Sequence, residues 1–229
     1  MCGRYLTPNE QALERVFRVG RHNWQGLVTR FNVAPTSQVP VVLSSDGELV
    51  GDVARWGLIP SWWKKDSLPT LSFNARSEEA AAKPMWRQSL RAQRCLMPAL
   101  GWYEWNEHET AATTRGRSSH QPYYFFNPDE PVLAIAGLWS LWRSPAGNDV
   151  LSCALLTREV TGAPDLAAIH HRMPLLLHAA DQAVWLAAET SPGDVQELIA
   201  GSRTDFEARR VSTRVNSVRN EAPDLIDEA

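Results

Sequence analysis

Cys2 directly follows the initiator methionine. Removal of Met1, which so small a second residue permits, leaves a chain that begins with a 1,2-aminothiol. The α-amine of such a terminus has a reference pKa of about 7.7–8.0 and a free thiol about 8.5, so both are partly nucleophilic near neutral pH. An aldehyde meeting this pair forms a Schiff base with the amine, and the thiol then closes a five-membered thiazolidine ring. Neither an internal cysteine nor an N-terminal serine gives that product. The alternative for Cys2 is a small core hydrophobe, the usual place of a free cysteine.

Three short patterns share one layout: Cys2-Gly3-Arg4, Asn74-Ala75-Arg76 and His170-His171-Arg172. In extended backbone, residues i and i+2 face the same side. Each pattern then sets a reacting or orienting group beside a guanidinium. Pro174 biases Met173 toward extended conformation, which puts His170 rather than His171 on the face of Arg172. A substrate with a reactive carbon next to phosphates suits such a layout. In a chain with 20 Arg the same patterns also arise cheaply by coincidence.

Glu104 is a single carboxylate among Trp102, Tyr103 and Trp105. Desolvation there raises its pKa and fits it for acid–base work; the alternative is a strand-end Glu facing solvent. Trp62 and Trp63 precede Lys64 and Lys65, a composition that stacks an unpaired base and steers a backbone. The competing place for either Trp is the core. The sequence has no CxxC, HExxH, phosphate-cradling glycine loop or GxSxG. His170 and His171 are adjacent, so a strand sends them to opposite faces, a poor metal pair. No metal and no organic cofactor is expected.

These residues must be positioned by a fold rich in strands. Thr7-Pro8-Asn9-Glu10 reads as a capping box with Pro at N1, opening a helix through Ala12, Leu13, Val16 and Phe17. Short apolar runs follow at 39–43, 49–56, 95–100, 123–126, 132–138, 150–156, 173–177 and 210–215. Asp46-Gly47 is a hairpin signal between the first two. Further helices are expected over 78–93 and 180–189, and from Ser191-Pro192. Many strands with few scattered helices predict an α+β fold: one domain over 1–229, built on a curved, mostly antiparallel sheet or barrel. Polar residues 107–121 read as a surface loop, and 220–229 as a peripheral acidic tail.

Bulk properties bound the function. The chain has 229 residues, 44% hydrophobic and 21% charged, ordinary for a globular protein. No apolar run reaches the roughly 18 residues of a membrane span, and no signal-peptide h-region follows Met1. Three cysteines make no disulfide framework, which fits a reduced cytosol. A cytoplasmic monomer is expected. The net charge of −3 argues mildly against a protein that coats nucleic acid. The 20 Arg against 3 Lys favour bidentate phosphate contacts, although a GC-rich genome also produces that skew.

Taken together, the chain resembles the SOS response-associated peptidase (SRAP) family. The resemblance rests on Met1-Cys2-Gly3-Arg4-Tyr5, Asn32–Thr36, Arg55–Trp62, Asn74–Glu78, Arg94–Trp105, Ala136–Trp139, Ile169–Pro174 and Val215-Asn216, in order along nearly the whole chain. It implies a single-domain α+β fold, binding of abasic sites in single-stranded DNA, and a thiazolidine DNA–protein cross-link through an N-terminal Cys2. It further implies lyase-type Schiff-base chemistry and an autopeptidase step that exposes Cys2. Carried over, Cys2 is the nucleophile and Asn74 orients the substrate. Glu104 assists ring opening as an acid–base group, and His170 donates a proton near the deoxyribose oxygen. Arg4, Arg76, Arg172, Trp62 and Trp63 hold DNA.

Two other functions compete with this one. A cysteine peptidase would employ Cys2 with His170 as base. A non-catalytic damaged-DNA binding module would leave Asn74, Glu104 and His170 without a task.

Overall fold

The computed structural model describes residues 2–45, 47–65, 67–70, 72–113, 116 and 118–229. Met1 and Asp46, which carry the expected processing step and half of the expected turn, lie outside them. Thirteen strands occur among the described residues. They are β1 (Arg4–Thr7), β2 (Arg21–His22), β3 (Arg30–Val33), β4 (Gln38–Ser45), β5 (Glu48–Trp56), β6 (Asn74–Arg76) and β7 (Arg94–Ala99). Then come β8 (Gly101–Ala112), β9 (Ser118–Phe126), β10 (Leu133–Arg143), β11 (Asp149–Glu159), β12 (Arg172–Pro174) and β13 (Glu207–Arg210). Six short helices flank them: α1 (Glu10–Phe17), α2 (Ser77–Ala80), α3 (Arg87–Ala92), α4 (Pro164–Ile169), α5 (Gln182–Leu186) and α6 (Pro192–Ala200).

Five strands close on themselves. Antiparallel pairs run β11–β10–β7–β4–β5, and a parallel contact of Arg55 with Ser152 and Trp56 with Cys153 joins β5 back to β11. Closure leaves these strands no open edge. Alternate residues line one face: Val39, Val41 and Leu43, then Cys95, Met97 and Ala99, Leu133 and Ile135, Cys153 and Leu155. Between them Val42, Leu96, Ala134, Ala136, Ala154 and Leu156 face a second cluster that includes helix residues Leu13, Leu90 and Trp185. Burial on both faces is why these strands read as nearly continuous apolar runs. A Cβ at Gly137 would lie 2.7 Å from Cys95 Sγ, so the packed interior requires glycine there.

The second sheet, in order β13-β9-β8-β1-β3, carries the N-terminus. Its Tyr5, Trp102 and Phe125 join the first cluster, as does Cys2. Gly101 admits β8 to this sheet: its φ is +150°, and an added Cβ would sit 2.3 Å from the Phe125 carbonyl oxygen.

Several sequence expectations need correction. Residues 107–121 are largely ladder: β8 and β9 pair from Trp102–Phe125 to Ala112–Ser118, with an irregularity between Asn106 and Thr110. This ribbon extends past the core, so its side chains are polar on both faces. Tyr123 Oη–H donates to Glu109 at 2.6 Å, and Arg210 pairs with the same carboxylate. The tail is docked: Leu225 is buried, Val211 bridges Glu228, and the Ala229 N–H donates to the Arg210 carbonyl. Helix α1 is capped by Asn9, whose side chain accepts from the Ala12 N–H at 3.0 Å, because Thr7 belongs to β1. The helix expected over 78–93 splits into α2 and α3, with Pro84 between them disfavouring helical backbone at Lys83. The run at 210–215 is strand only at its start, then a 3-10 turn over Thr213–Asn216.

Candidate active site around Cys2

Cys2 is fully buried, and its thiol points to the Arg4 carbonyl at 3.8 Å. Burial pushes the thiol pKa well above its ordinary value, and the nearby Glu104 carboxyl pushes the same way. The group therefore rests as a thiol rather than a thiolate. Asn74 fixes the backbone at this point: its Nδ2 donates to the Cys2 carbonyl at 2.7 Å. Asn74 begins β6, held parallel to β11 with Asn74 opposite Leu155. Its Oδ1 is buried with no hydrogen-bond partner among the described residues.

Glu104 lies on β8, two residues after Trp102 and on the same face, and is buried. Burial lifts its carboxyl pKa to about 8, as the surrounding aromatics led us to expect. His170 follows helix α4 and is also buried, and burial lowers its imidazole pKa to about 4. Its Nε2 stands 3.7 Å from Glu104 Oε2. At neutral pH the carboxyl is mostly protonated and the imidazole neutral, so this is a contact between neutral groups rather than an ion pair. Nδ1 lies 2.8 Å from the Arg172 carbonyl oxygen, and the Arg172 N–H donates toward it at 3.1 Å, so either tautomer of the ring has a partner there. His171 is exposed and stacks on His170. A half-buried amide bonded to Cys2, an acid holding its proton near the thiol and a neutral imidazole against that acid make a set able to open, protonate and capture a carbonyl compound.

The arginines divide. Arg76 is an accessible cation, its side chain 51% exposed and 3.9 Å from Glu79. Arg4 turns away from Cys2: its guanidinium donates to Asn32 Oδ1 and the Val215 carbonyl, both at 2.8 Å. The regular strand begins only at Arg4, so the i, i+2 alternation does not extend back to Cys2. Arg172 is 5% exposed and bonded to Glu78 and Thr157, with its guanidinium engaged inside the protein. Trp62 is 47% exposed. Trp63 is half-buried, donates its indole N–H to the Ser67 carbonyl, and carries Lys65 over its ring at 5.4 Å.

Sequence reasoning passed over Glu78 and Asn32 as individual site residues. Asn32 gathers Arg4 and the carbonyls of Val215, Ser217 and Asn220. Both residues stood within stretches that carried the family resemblance, which was the available signal.

Comparison with known proteins identifies the family and the fold. A family model described as SOS response associated peptidase (SRAP) matches residues 1–218. A Bacillus subtilis protein named abasic site processing protein YoqW is 30% identical over 231 residues, 99% of each chain. The abasic site processing protein HMCES of Gallus gallus is 32% identical over 86% of this chain and 65% of its own. A solved structure from Bacteroides thetaiotaomicron matches over the full length of both chains with a TM-score of 0.82 at 23% identity, a likeness of fold.

Proposed function

The chain belongs to the SOS response associated peptidase (SRAP) family, and from that premise we propose that it captures abasic sites in single-stranded DNA by a thiazolidine cross-link through Cys2. The observation that carries this reading is the grouping at Cys2: Asn74 bonded to its carbonyl, Glu104 close enough to act on its thiol, and His170 against Glu104. The names of its relatives supply the substrate class.

An abasic sugar is mostly a closed hemiacetal. Opening it breaks the bond between the anomeric carbon and the ring oxygen, protonates that oxygen and removes the hydroxyl proton. Glu104, still protonated near pH 7, delivers the first proton. In this reading Nδ1 donates to the Arg172 carbonyl at 2.8 Å and Nε2 is the base that takes the second, so that Glu104 rather than His170 is the proton donor. The α-amine left by removal of Met1 then attacks the aldehyde and releases water as the imine forms. The Cys2 S–H adds across the C=N bond, sulfur to carbon and proton to nitrogen, closing the ring. No oxidant or reductant is needed.

A resting thiol favours this order, amine first and sulfur second. A general cysteine peptidase instead needs an activated thiolate. Arg76 and Trp62 supply the DNA contacts, as phosphate partner and stacking face. Incubation with an abasic single-stranded oligonucleotide and, in parallel, with a peptide panel tests the choice. A heat-stable DNA adduct without peptide cleavage is expected; peptide cleavage without an adduct refutes the proposal.

A further inference from the structure

We propose that Glu78 is a positioning residue of this site: through Arg172 it fixes the imidazole of His170 and ties it to the strand that carries Asn74. The inference rests on the Cys2 reading above.

Glu78 lies on α2, which continues directly from β6. Its Oε2 meets Arg172 Nη2 at 2.9 Å and its Oε1 meets Nη1 at 3.4 Å, a two-point contact of fork and carboxylate. Arg172 Nη2 also donates to the Thr157 carbonyl at 2.9 Å and to its hydroxyl at 3.1 Å. Glu78 Oε1 accepts the Glu159 N–H at 3.1 Å. Thr157 and Glu159 belong to β11, where Thr157 stands opposite Arg76 of β6 and Glu159 opposite Arg172 of β12. One carboxylate therefore joins the three segments that place Asn74 and His170.

The connection to His170 runs through backbone. Both Nδ1 contacts of the imidazole are to peptide atoms of residue 172. Those atoms belong to the residue whose guanidinium Glu78 holds, in the ladder that pairs Arg172 with Glu159. Glu78 is 45% exposed while Arg172 is buried, so without Glu78 the guanidinium keeps only the Thr157 oxygens and loses its anionic partner. Relief requires the side chain to move toward water. Residue 172 moves with it, and the ring loses its Nδ1 contacts.

The test is a double-mutant cycle on cross-linking rate at saturating abasic oligonucleotide, with Glu78→Gln, His170→Ala and the pair. Wild type must first form the adduct; its failure would count against the Cys2 reading and not against Glu78. Glu78→Gln is expected to slow the step about 10- to 100-fold, the scale of a misplaced catalytic group, with unchanged affinity for undamaged single strands. In the His170→Ala background the same substitution is expected to have no further effect. Glu78→Asp, which keeps the charge, goes through the same cycle, so that a folding defect in the Gln variant leaves the test intact. It should retain more activity than Gln and show the same loss of effect without His170. A rate defect that persists undiminished in the His170→Ala background, or wild-type rates for both Glu78 variants, overturns the proposal.

Discussion

The side-chain amide of Asn74 donates to the main-chain carbonyl of Cys2 at 2.7 Å, joining residues 72 positions apart. The amide therefore acts on the reacting residue's backbone, while its own carbonyl oxygen remains buried and without a hydrogen-bond partner among the described residues.

Asn74→Ala is accordingly expected to lower the single-turnover cross-linking rate by about 10²-fold, the cost of misplacing a nucleophile by an ångström or so. DNA affinity should change little, because Asn74 is not among the exposed cations. Rapid-quench rates beside equilibrium binding separate the two, and an affinity loss with an intact rate would contradict the assignment.

Glu104 and His170 give a signed pH prediction. The Glu104 pKa is raised to about 8 in the fold, so its protonated form is favoured there. Its contribution to stability is fully present below the unfolded pKa of about 4.3 and is lost as pH rises through 8. His170 is lowered to about 4, so its contribution is present above about 6.5 and is lost as pH falls through 4. Glu104→Gln should therefore gain stability relative to wild type as pH rises from 5 to 9. The gain is a few kcal/mol at the upper limit, at about 1.4 kcal/mol per pKa unit. Thermal melts across that range check it, and a constant difference would refute it. The cross-linking rate should also fall above about 8 in wild type and lose that alkaline limb in the variant.

Glu104→Gln and His170→Ala should each slow cross-linking by about 10²–10⁴-fold without abolishing it, because the nucleophile remains. Microscopic reversibility requires a slower release as well. Forward and reverse rates on one oligonucleotide decide the matter. A defect in His171→Ala with wild-type rates for His170→Ala would reassign the base.

The three arginines should behave differently despite their shared spacing. Arg76→Ala should weaken single-strand binding and reduce the salt slope by about 0.7, one phosphate contact. Arg172→Ala should destabilise the fold and slow cross-linking with little change in salt slope, since its guanidinium is bonded internally and its backbone holds the His170 ring. Arg4→Ala should loosen the C-terminal segment at Val215 and Asn216. Trp62→Ala should cost about 1–3 kcal/mol of base stacking. Equal salt slopes for wild type and Arg76→Ala would remove Arg76 from the interface.

Much of this was legible in the sequence, and the failures have physical reasons. The barrel strands announced themselves because both of their faces are buried. Glu104 announced itself because aromatic neighbours along one strand predict its desolvation. The β8–β9 ribbon did not, because a two-stranded arm with both faces in water carries no apolar alternation. The true partners of Arg4 and Arg172 lay 211 and 94 positions away, beyond any local pattern. Spacing could suggest that a guanidinium stood beside the reacting group, but not that a distant carboxylate already held it.

The most direct measurement is the intact mass of the purified protein before and after exposure to an abasic single-stranded oligonucleotide. The expected starting mass is that of the chain without Met1. The expected product is the sum of protein and oligonucleotide less one water, stable to heating without reduction and absent in Cys2→Ala. A heat-stable adduct of the same mass in Cys2→Ala would contradict the central claim and move the chemistry to another nucleophile.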